Sequence, residues 1–168
     1  NIIIMSTISP LAFVHPEARI GENVTIDAFA YIGKNVIIGD GCHISPHVSI
    51  LSGARIGKNN HFYDGCIISA TPQDFRWKGE ESYVIIGDNN TIREHVIINR
   101  SIHKEGETRI GNDSFIMAQS HIAHDTRIGN SVVIGNSVKI AGACRIGDFS
   151  ILSSCALVHE KCEIGEWV

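Results

Sequence analysis

The stretch Thr126-Arg-Ile-Gly-Asn-Ser-Val-Val-Ile-Gly-Asn-Ser-Val-Lys-Ile140 places an isoleucine at every sixth residue and decides the fold of this 168-residue chain. Counting in sixes outward from it, from Ile8 to Ile164, gives 27 positions, of which 24 are apolar and 20 are isoleucine. A strand repeats every two residues and a helix about every 3.6 residues. A six-residue period therefore excludes one long helix and fits a flat strand followed by a corner. Such a short period over nearly the whole chain is typical of a solenoid, and the hexapeptide period indicates a parallel β-helix.

Three six-residue sides close a coil of 18 residues, so residues 18 apart are expected to stack, with the isoleucines pointing into the axis. The 24 apolar repeats predict eight coils, spaced by about 4.8 Å, the usual distance between strands. Glycine directly follows the inward residue in ten cases, and we predict these glycines at corners that need positive φ. The predicted fold class is all-β, with a single β-helix domain over residues 1–168. The period itself does not determine the hand of the coil.

The amino-acid composition argues against some classes of binding partner and indicates a cellular compartment. The net charge is −4 and the basic residues are scattered along the chain, which favours neither a nucleic-acid surface nor a polybasic membrane patch. No apolar run is long enough for a transmembrane segment, and Asn1–Met5 lacks the basic region of a signal peptide, with Met5 a candidate natural start. Four cysteines occupy the small inward position, four residues after the inward apolar residue. This position predicts thiols in the core and argues against disulfides or a zinc site. Free thiols fit a reducing cytoplasm. The four cysteines are Cys42, Cys66, Cys144 and Cys162, whereas Cys155 is elsewhere.

Two segments leave the register, near residues 69–85 and 101–109. A regular solenoid tolerates insertions as loops on one face, and that face often binds ligands. The first segment carries polar and charged side chains together with two aromatic ones, a combination unusual for a merely solvated loop. These residues are Gln73, Asp74, Phe75, Arg76, Trp77 and Lys78. We therefore predict that this loop contributes to function.

A third irregularity lies within the register, at His121-Ile-Ala-His124-Asp125. None of its polar residues occupies the inward position, so all three can face outward. Adjacent residues in a strand point to opposite faces, so His124 and Asp125 can act together only if a corner lies between them. We interpret six other histidines as ordinary surface residues: His15, His43, His47, His61, His95 and His103.

With these segments the chain resembles the UDP-N-acetylglucosamine O-acyltransferases, which carry out the first step of lipid A synthesis. The matching segments are Phe13–Pro16, Pro72–Glu80, Gly87–Glu94, Ile98–Arg100, His121–Asp125 and Val158–His159. The resemblance implies a left-handed parallel β-helix, a homotrimer with active sites between subunits, and a cytoplasmic location in a Gram-negative type of bacterium. It also implies transfer of a (3-hydroxy)acyl group from acyl-carrier protein to the 3-hydroxyl of UDP-N-acetylglucosamine.

Carried over by position, the resemblance implies that His124 is the general base and Asp125 its partner in a dyad. It implies a substrate site made of Gln73, Asp74, His121 and His159. From chemistry, Arg76 or Lys78 is suited to a diphosphate, and the backbone N–H of Gly142, 18 residues after His124, to an oxyanion. The donor's phosphopantetheine thioester brings the activated acyl group, so we expect no other cofactor and no metal.

The chain departs from the family's pattern at several positions. Arg76 stands where a lysine is usual, Ala143 where histidine is common, and Glu160-Lys161 where glutamine and phenylalanine are common. The family also continues beyond the position of Val168 with more coils and a C-terminal helical region. We therefore expect either a fragment or a shortened relative with altered specificity.

Other functions fit parts of the pattern. A related hexapeptide N-acyltransferase would act on an amino sugar, although the Gln73-Asp74 loop favours an O-acyltransferase. A zinc hydratase of the carbonic anhydrase type needs three histidine ligands, and no third histidine is obviously placed beside His121 and His124. A non-catalytic scaffold relative is a further alternative, against which the retained His124-Asp125 pair argues.

Overall fold

The computed structural model describes residues 6–168, and the expectations about Asn1–Met5 lie outside the described residues. Within these residues the chain forms 24 short strands and no helix. In chain order the strands are β1 (Thr7–Ile8), β2 (Phe13–Val14), β3 (Arg19–Ile20), β4 (Thr25–Ile26), β5 (Tyr31–Ile32), β6 (Ile37–Ile38), β7 (His43–Ile44), β8 (Ser49–Ile50), β9 (Ala54–Ile56), β10 (His61–Phe62), β11 (Ile67–Ala70), β12 (Tyr83–Ile86), β13 (Thr91–Ile92), β14 (Ile97–Asn99), β15 (Glu107–Ile110), β16 (Phe115–Ile116), β17 (His121–Ile122), β18 (Arg127–Ile128), β19 (Val133–Ile134), β20 (Lys139–Ile140), β21 (Arg145–Ile146), β22 (Ile151–Leu152), β23 (Leu157–Val158) and β24 (Glu163–Ile164).

Every third strand joins the same sheet, so the chain winds around three sheets of eight strands each. The first sheet begins with β1, the second with β2 and the third with β3, and all pairs are parallel. Ile128 pairs with Ile110 on one side and with Ile146 on the other, which is the predicted spacing of 18 residues. The predicted eight-coil parallel β-helix is confirmed.

The inward apolar side chains form one continuous core along the axis. Burial is nearly complete in the middle coils, where Ile50, Phe62 and Ile122 are fully buried. It falls at the ends, where Ile8 is 44% exposed, because an end coil has a neighbour on one side only.

The cysteines follow the same trend. Cys42, Cys66 and Cys144 are buried as predicted, and burial raises the pKa of the Cys66 thiol to about 12. The prediction for Cys162 is wrong in this structure: the residue is exposed, since it lies in the eighth coil, the last of the described residues.

Most corners bend through one residue of positive φ, three positions after the inward residue. Asn35 (57°), Asp113 (56°) and Asp125 (61°) occupy this position. The prediction that the glycines supply the positive φ is wrong for the Ile-Gly pairs, because Gly111 and its equivalents have ordinary φ values. At Gly111 and most of its equivalents glycine is needed for close approach instead: a Cβ on Gly111 would lie 2.6 Å from the carbonyl oxygen of Gly129 in the next coil.

The 18-residue coil gives the outward faces two features that the order of residues in the sequence does not show. The basic residues are scattered in sequence, but the 18-residue coil places Arg109, Arg127 and Arg145 side by side on the third sheet. His43 and His61 are not isolated surface residues, because their rings stack with centroids 4.4 Å apart. Among residues 6–168 we find no helix that could cross a membrane.

Candidate active site

Both segments that break the register leave the β-helix at the same corner, between the second and third sheets. The long loop 71–82 joins β11 to β12, and the shorter loop 100–106 joins β14 to β15. The next three turns of this corner carry His124 between β17 and β18, Gly142 between β20 and β21, and His159 between β23 and β24. Because equivalent corners of successive coils stack along the axis of the β-helix, residues far apart in sequence become neighbours here.

His124 and Asp125 lie at a true corner. The φ of 61° at Asp125 turns its side chain back, so that its Oδ2 lies 2.8 Å from Nδ1 of His124. The same carboxylate accepts hydrogen bonds from the hydroxyl of Ser101 and from the backbone N–H of Ile102 in the shorter loop. Thr108 holds the backbone, since its hydroxyl accepts the N–H of Asp125 at 2.8 Å. His124 is only 8% exposed, so contacts with the surrounding residues fix the position of its ring.

Asp74 brings the long loop to the other side of the imidazole. Its Oδ2 lies 3.3 Å from Nε2 of His124, while Arg76 forms a fork on the same carboxylate, with Nε 2.9 Å from Oδ1 and Nη2 2.7 Å from Oδ2. These charge-assisted bonds from Arg76 hold the pKa of Asp74 well below its usual range, and the carboxylate in turn raises the pKa of Arg76. Arg76, suited to a diphosphate, is thus engaged by a carboxylate in this structure.

Gly142 forms the floor beneath the imidazole. A Cβ at this position would lie 2.4 Å from Cε1 and 2.5 Å from Nε2 of His124, so a side chain here would displace the ring. Its N–H finds no hydrogen-bond acceptor within residues 6–168. Ala143, the next residue, donates its N–H to the carbonyl oxygen of His124 at 2.9 Å and fixes the two coils together.

His121 lies on the second sheet, beside the corner. Its Nε2 lies 2.6 Å from Oδ1 of Asn99, which as an acceptor requires Nε2 to carry a proton. Burial lowers the pKa of His121, and the charges of Lys139 and His124 lower it further, so the ring favours the neutral form.

A cleft of about 510 Å³ connects these groups. Gln73, Asp74, His121, His124, Gly142 and His159 all line it, together with Asn99, Lys139, Leu157 and Glu160. Of the remaining sequence-predicted residues, Asp125 lies behind His124, and Arg76 lies behind Asp74. A second hollow, of about 490 Å³ near Arg19 and Arg55, is lined by none of these residues.

Sequence reasoning did not assign roles to several residues of the site. Asn99 lies in a segment already noted for its resemblance, but Ser101 and Thr108 carry no signal of their own, because their contacts depend on how the shorter loop closes. Among the described residues no group of three or more histidine, cysteine or carboxylate side chains is arranged to hold a metal ion.

Two sequence models of known families match this chain. Residues 8–109 match the sequence model described as GMPPB C-terminal domain, and residues 107–142 and 125–160 match the bacterial transferase hexapeptide (six repeats). Among curated proteins, the acyl-[acyl-carrier-protein]–UDP-N-acetylglucosamine O-acyltransferase of Saccharophagus degradans is 39% identical over 121 residues, 71% of this chain and 47% of that protein. That of Campylobacter curvus is 48% identical over 122 residues, with the same coverage. The chain thus spans about half the length of the curated relatives it matches.

Solved structures agree with the sequence relatives. The UDP-N-acetylglucosamine acyltransferase of Francisella novicida superposes with a TM-score of 0.91 and 43% identity, over 94% of this chain and 58% of that one. The enzyme of Bacteroides fragilis gives a TM-score of 0.85 and 45% identity, over 94% and 66%. A coil of opposite hand would not superpose in this way, so the β-helix is left-handed, as the resemblance implied. The chain belongs to the hexapeptide-repeat acyltransferases of the UDP-N-acetylglucosamine O-acyltransferase type.

Proposed function

We propose that this chain is the catalytic β-helix of an enzyme that transfers a (3-hydroxy)acyl group from acyl-carrier protein to the 3-hydroxyl of UDP-N-acetylglucosamine. The observation that carries the proposal is the setting of His124: one ring nitrogen is bonded to Asp125, and the ring lies in the wall of the cleft, above Gly142. The names of the relatives supply the two substrates. In this proposal the reaction is the first step of lipid A synthesis.

A sugar hydroxyl is a weak nucleophile at neutral pH, so the transfer needs a base. Since the Asp125 carboxylate acts as acceptor toward Ser101 and Ile102, we assign the proton of its bond with His124 to Nδ1. Nε2, which faces the cleft beside Asp74, then carries the lone pair that takes the proton of the 3-hydroxyl. Asp125 orients the ring and stabilises the imidazolium that forms.

The bonds then change as follows. The sugar oxygen attacks the thioester carbonyl carbon, a C–O bond forms, and the carbonyl oxygen of the tetrahedral intermediate becomes an oxyanion. The free N–H of Gly142 is the donor we assign to that oxyanion. Collapse of the intermediate breaks the C–S bond, and the imidazolium of His124 returns its proton to the leaving sulfur.

The cleft provides further groups for the acceptor sugar and the donor. Gln73, Asp74, His121 and His159 present hydrogen-bonding side chains to the cleft, and we assign them to the nucleotide sugar. Leu157 in the cleft wall and Phe75 at the tip of the long loop are 80% and 91% exposed. Exposed apolar side chains beside a cleft favour contact with a neighbouring protomer. We therefore include in the proposal a cytoplasmic homotrimer with the cleft between subunits.

The test is an assay of the full product of the gene with 3-hydroxyacyl-acyl-carrier protein and UDP-N-acetylglucosamine, followed by mass spectrometry of the nucleotide sugar. We expect one added acyl group that mild alkali removes, since an O-acyl ester hydrolyses under conditions that leave an amide intact. A parallel reaction offers the 3-amino analogue of the acceptor. Absence of transfer to the hydroxyl, with an alkali-stable product from the amino analogue alone, would identify an N-acyltransferase instead.

A further inference from the structure

Glu160 reaches the candidate active site through Arg76. The Nη2 of Arg76 lies 3.3 Å from Oε1 of Glu160 and 2.7 Å from Oδ2 of Asp74, so one guanidinium nitrogen serves two carboxylates. Asp74 in turn faces Nε2 of His124. A single row of contacts therefore runs from Glu160 through Arg76 and Asp74 to His124. Arg76 and Glu160 are also two of the positions at which the chain departs from the pattern of its family.

The contact joins two distant parts of the fold. Arg76 belongs to the loop that leaves the fourth coil, whereas Glu160 lies in the eighth coil, 84 residues later and at the same corner. The base of the loop has its own anchors, because Asn99 donates to the carbonyl oxygen of Thr71, and the guanidinium of Arg100 lies over the ring of Trp77. The segment that carries Asp74 and Arg76 bridges the cleft, and Glu160 holds it on the far side.

The position of Asp74 matters for the proposed base. A carboxylate 3.3 Å from Nε2 lies on the side of the imidazole that the acceptor hydroxyl must reach. Arg76 holds this carboxylate in place, since its guanidinium donates hydrogen bonds to both oxygens. Glu160 also contacts Nη2 of Arg76, and this contact fixes the orientation of the guanidinium toward Asp74.

We infer that Glu160 is a positioning residue, which holds Arg76 and through it sets the place of Asp74 before His124. This inference rests on the proposed function for those experiments that measure the rate of acyl transfer. The Arg76–Glu160 pair is partly exposed, with side-chain accessibilities of 47% and 37%, so it contributes little to folding stability. Its effect is therefore expected in catalysis and in the order of the loop, and not in the melting temperature.

The experiment compares Glu160→Gln with Glu163→Gln, which makes the same change of charge in the same coil on an exposed partner of Arg145. We expect Glu160→Gln to lower kcat roughly 3- to 30-fold, a range usual for coupling between contacting side chains, with unchanged melting temperature. In an Arg76→Ala background the same substitution should have no further effect. Glu163→Gln should match the parent in both measurements.

A second readout does not need activity. Trypsin needs an extended, unanchored segment on both sides of Arg76, so Glu160→Gln, which removes one anchor, should be cut there faster than the parent and than Glu163→Gln. Equal cleavage rates, or a loss of kcat that persists in the Arg76→Ala background, would overturn the inference, the latter by showing that Glu160 acts directly. If the parent transfers no acyl group, the proposed function fails, and the cleavage rates alone decide whether Glu160 holds the loop.

Discussion

Asp125 shows how a single residue turns a repeat into a candidate site. Its φ of 61° belongs to the left-handed region, where most side chains are disfavoured but aspartate is tolerated. Most corners use this conformation, yet among residues 6–168 only here does the turned carboxylate meet the imidazole of the preceding residue, with Nδ1 and Oδ2 2.8 Å apart. The local sequence His124-Asp125 suggests a pair, but the geometry depends on the corner.

Asp125→Asn should impair catalysis through the tautomer of His124. The carboxamide keeps the shape of the carboxylate but offers an N–H, which favours a ring with the lone pair on Nδ1 and the proton on Nε2, where no base remains. We expect kcat to fall roughly 10²–10⁴-fold with a nearly unchanged fold, measured by steady-state kinetics and circular dichroism.

Asp113→Asn is the matched control, because Asp113 has the same corner conformation, with a φ of 56°, away from the cleft. It should leave kcat unchanged. Equal losses in both variants would mean that the effect comes from corner aspartates in general and not from the His124 partner.

At the scale of the element, the corner following the third sheet is built from stacked glycines. Gly87, Gly111 and Gly129 follow one another in successive coils, and the side chain after each glycine bonds to the coil before it, as Asn130 does to the N–H of Asn112. The six-residue period predicts a corner here, since glycine follows isoleucine so often. It does not reveal that the reason is close packing between coils, because the distance between coils is not a property of one repeat.

Gly111→Ala should destabilise the protein. The added Cβ would lie 2.6 Å from the carbonyl oxygen of Gly129, a backbone atom that moves only if the coils separate. Overpacking of this kind typically costs about 1–3 kcal/mol. Gly33→Ala is the control, since it follows Ile32 in the same way but its nearest neighbour, the Ser52 nitrogen, is 3.3 Å away. Thermal unfolding should show a clear loss for Gly111→Ala and little change for Gly33→Ala; the reverse order would refute close approach as the reason for the glycines.

At the scale of the whole molecule, three sheets and one continuous core follow from the period of six, and this much was predictable from sequence. The burial of Ile50, Ile122 and their equivalents needs only their spacing. The candidate site was predictable in part: His124 and the two loops stand out as breaks in the pattern. Their meeting at one corner, the bond of Ser101 to Asp125 and the pairing of Arg76 with Glu160 depend on loop paths that have no period to reveal them.

The central claim is that His124 is the base of an acyl transfer, and the most direct measurement is the steady-state kinetics of His124→Ala. The assay uses the full product of the gene, with 3-hydroxyacyl-acyl-carrier protein and UDP-N-acetylglucosamine as substrates. Because the lost interaction belongs to the transition state, we predict a fall in kcat of roughly 10²–10⁴-fold, with KM for the nucleotide sugar nearly unchanged. A variant that folds and keeps nearly full kcat would contradict the assignment of His124 as the base.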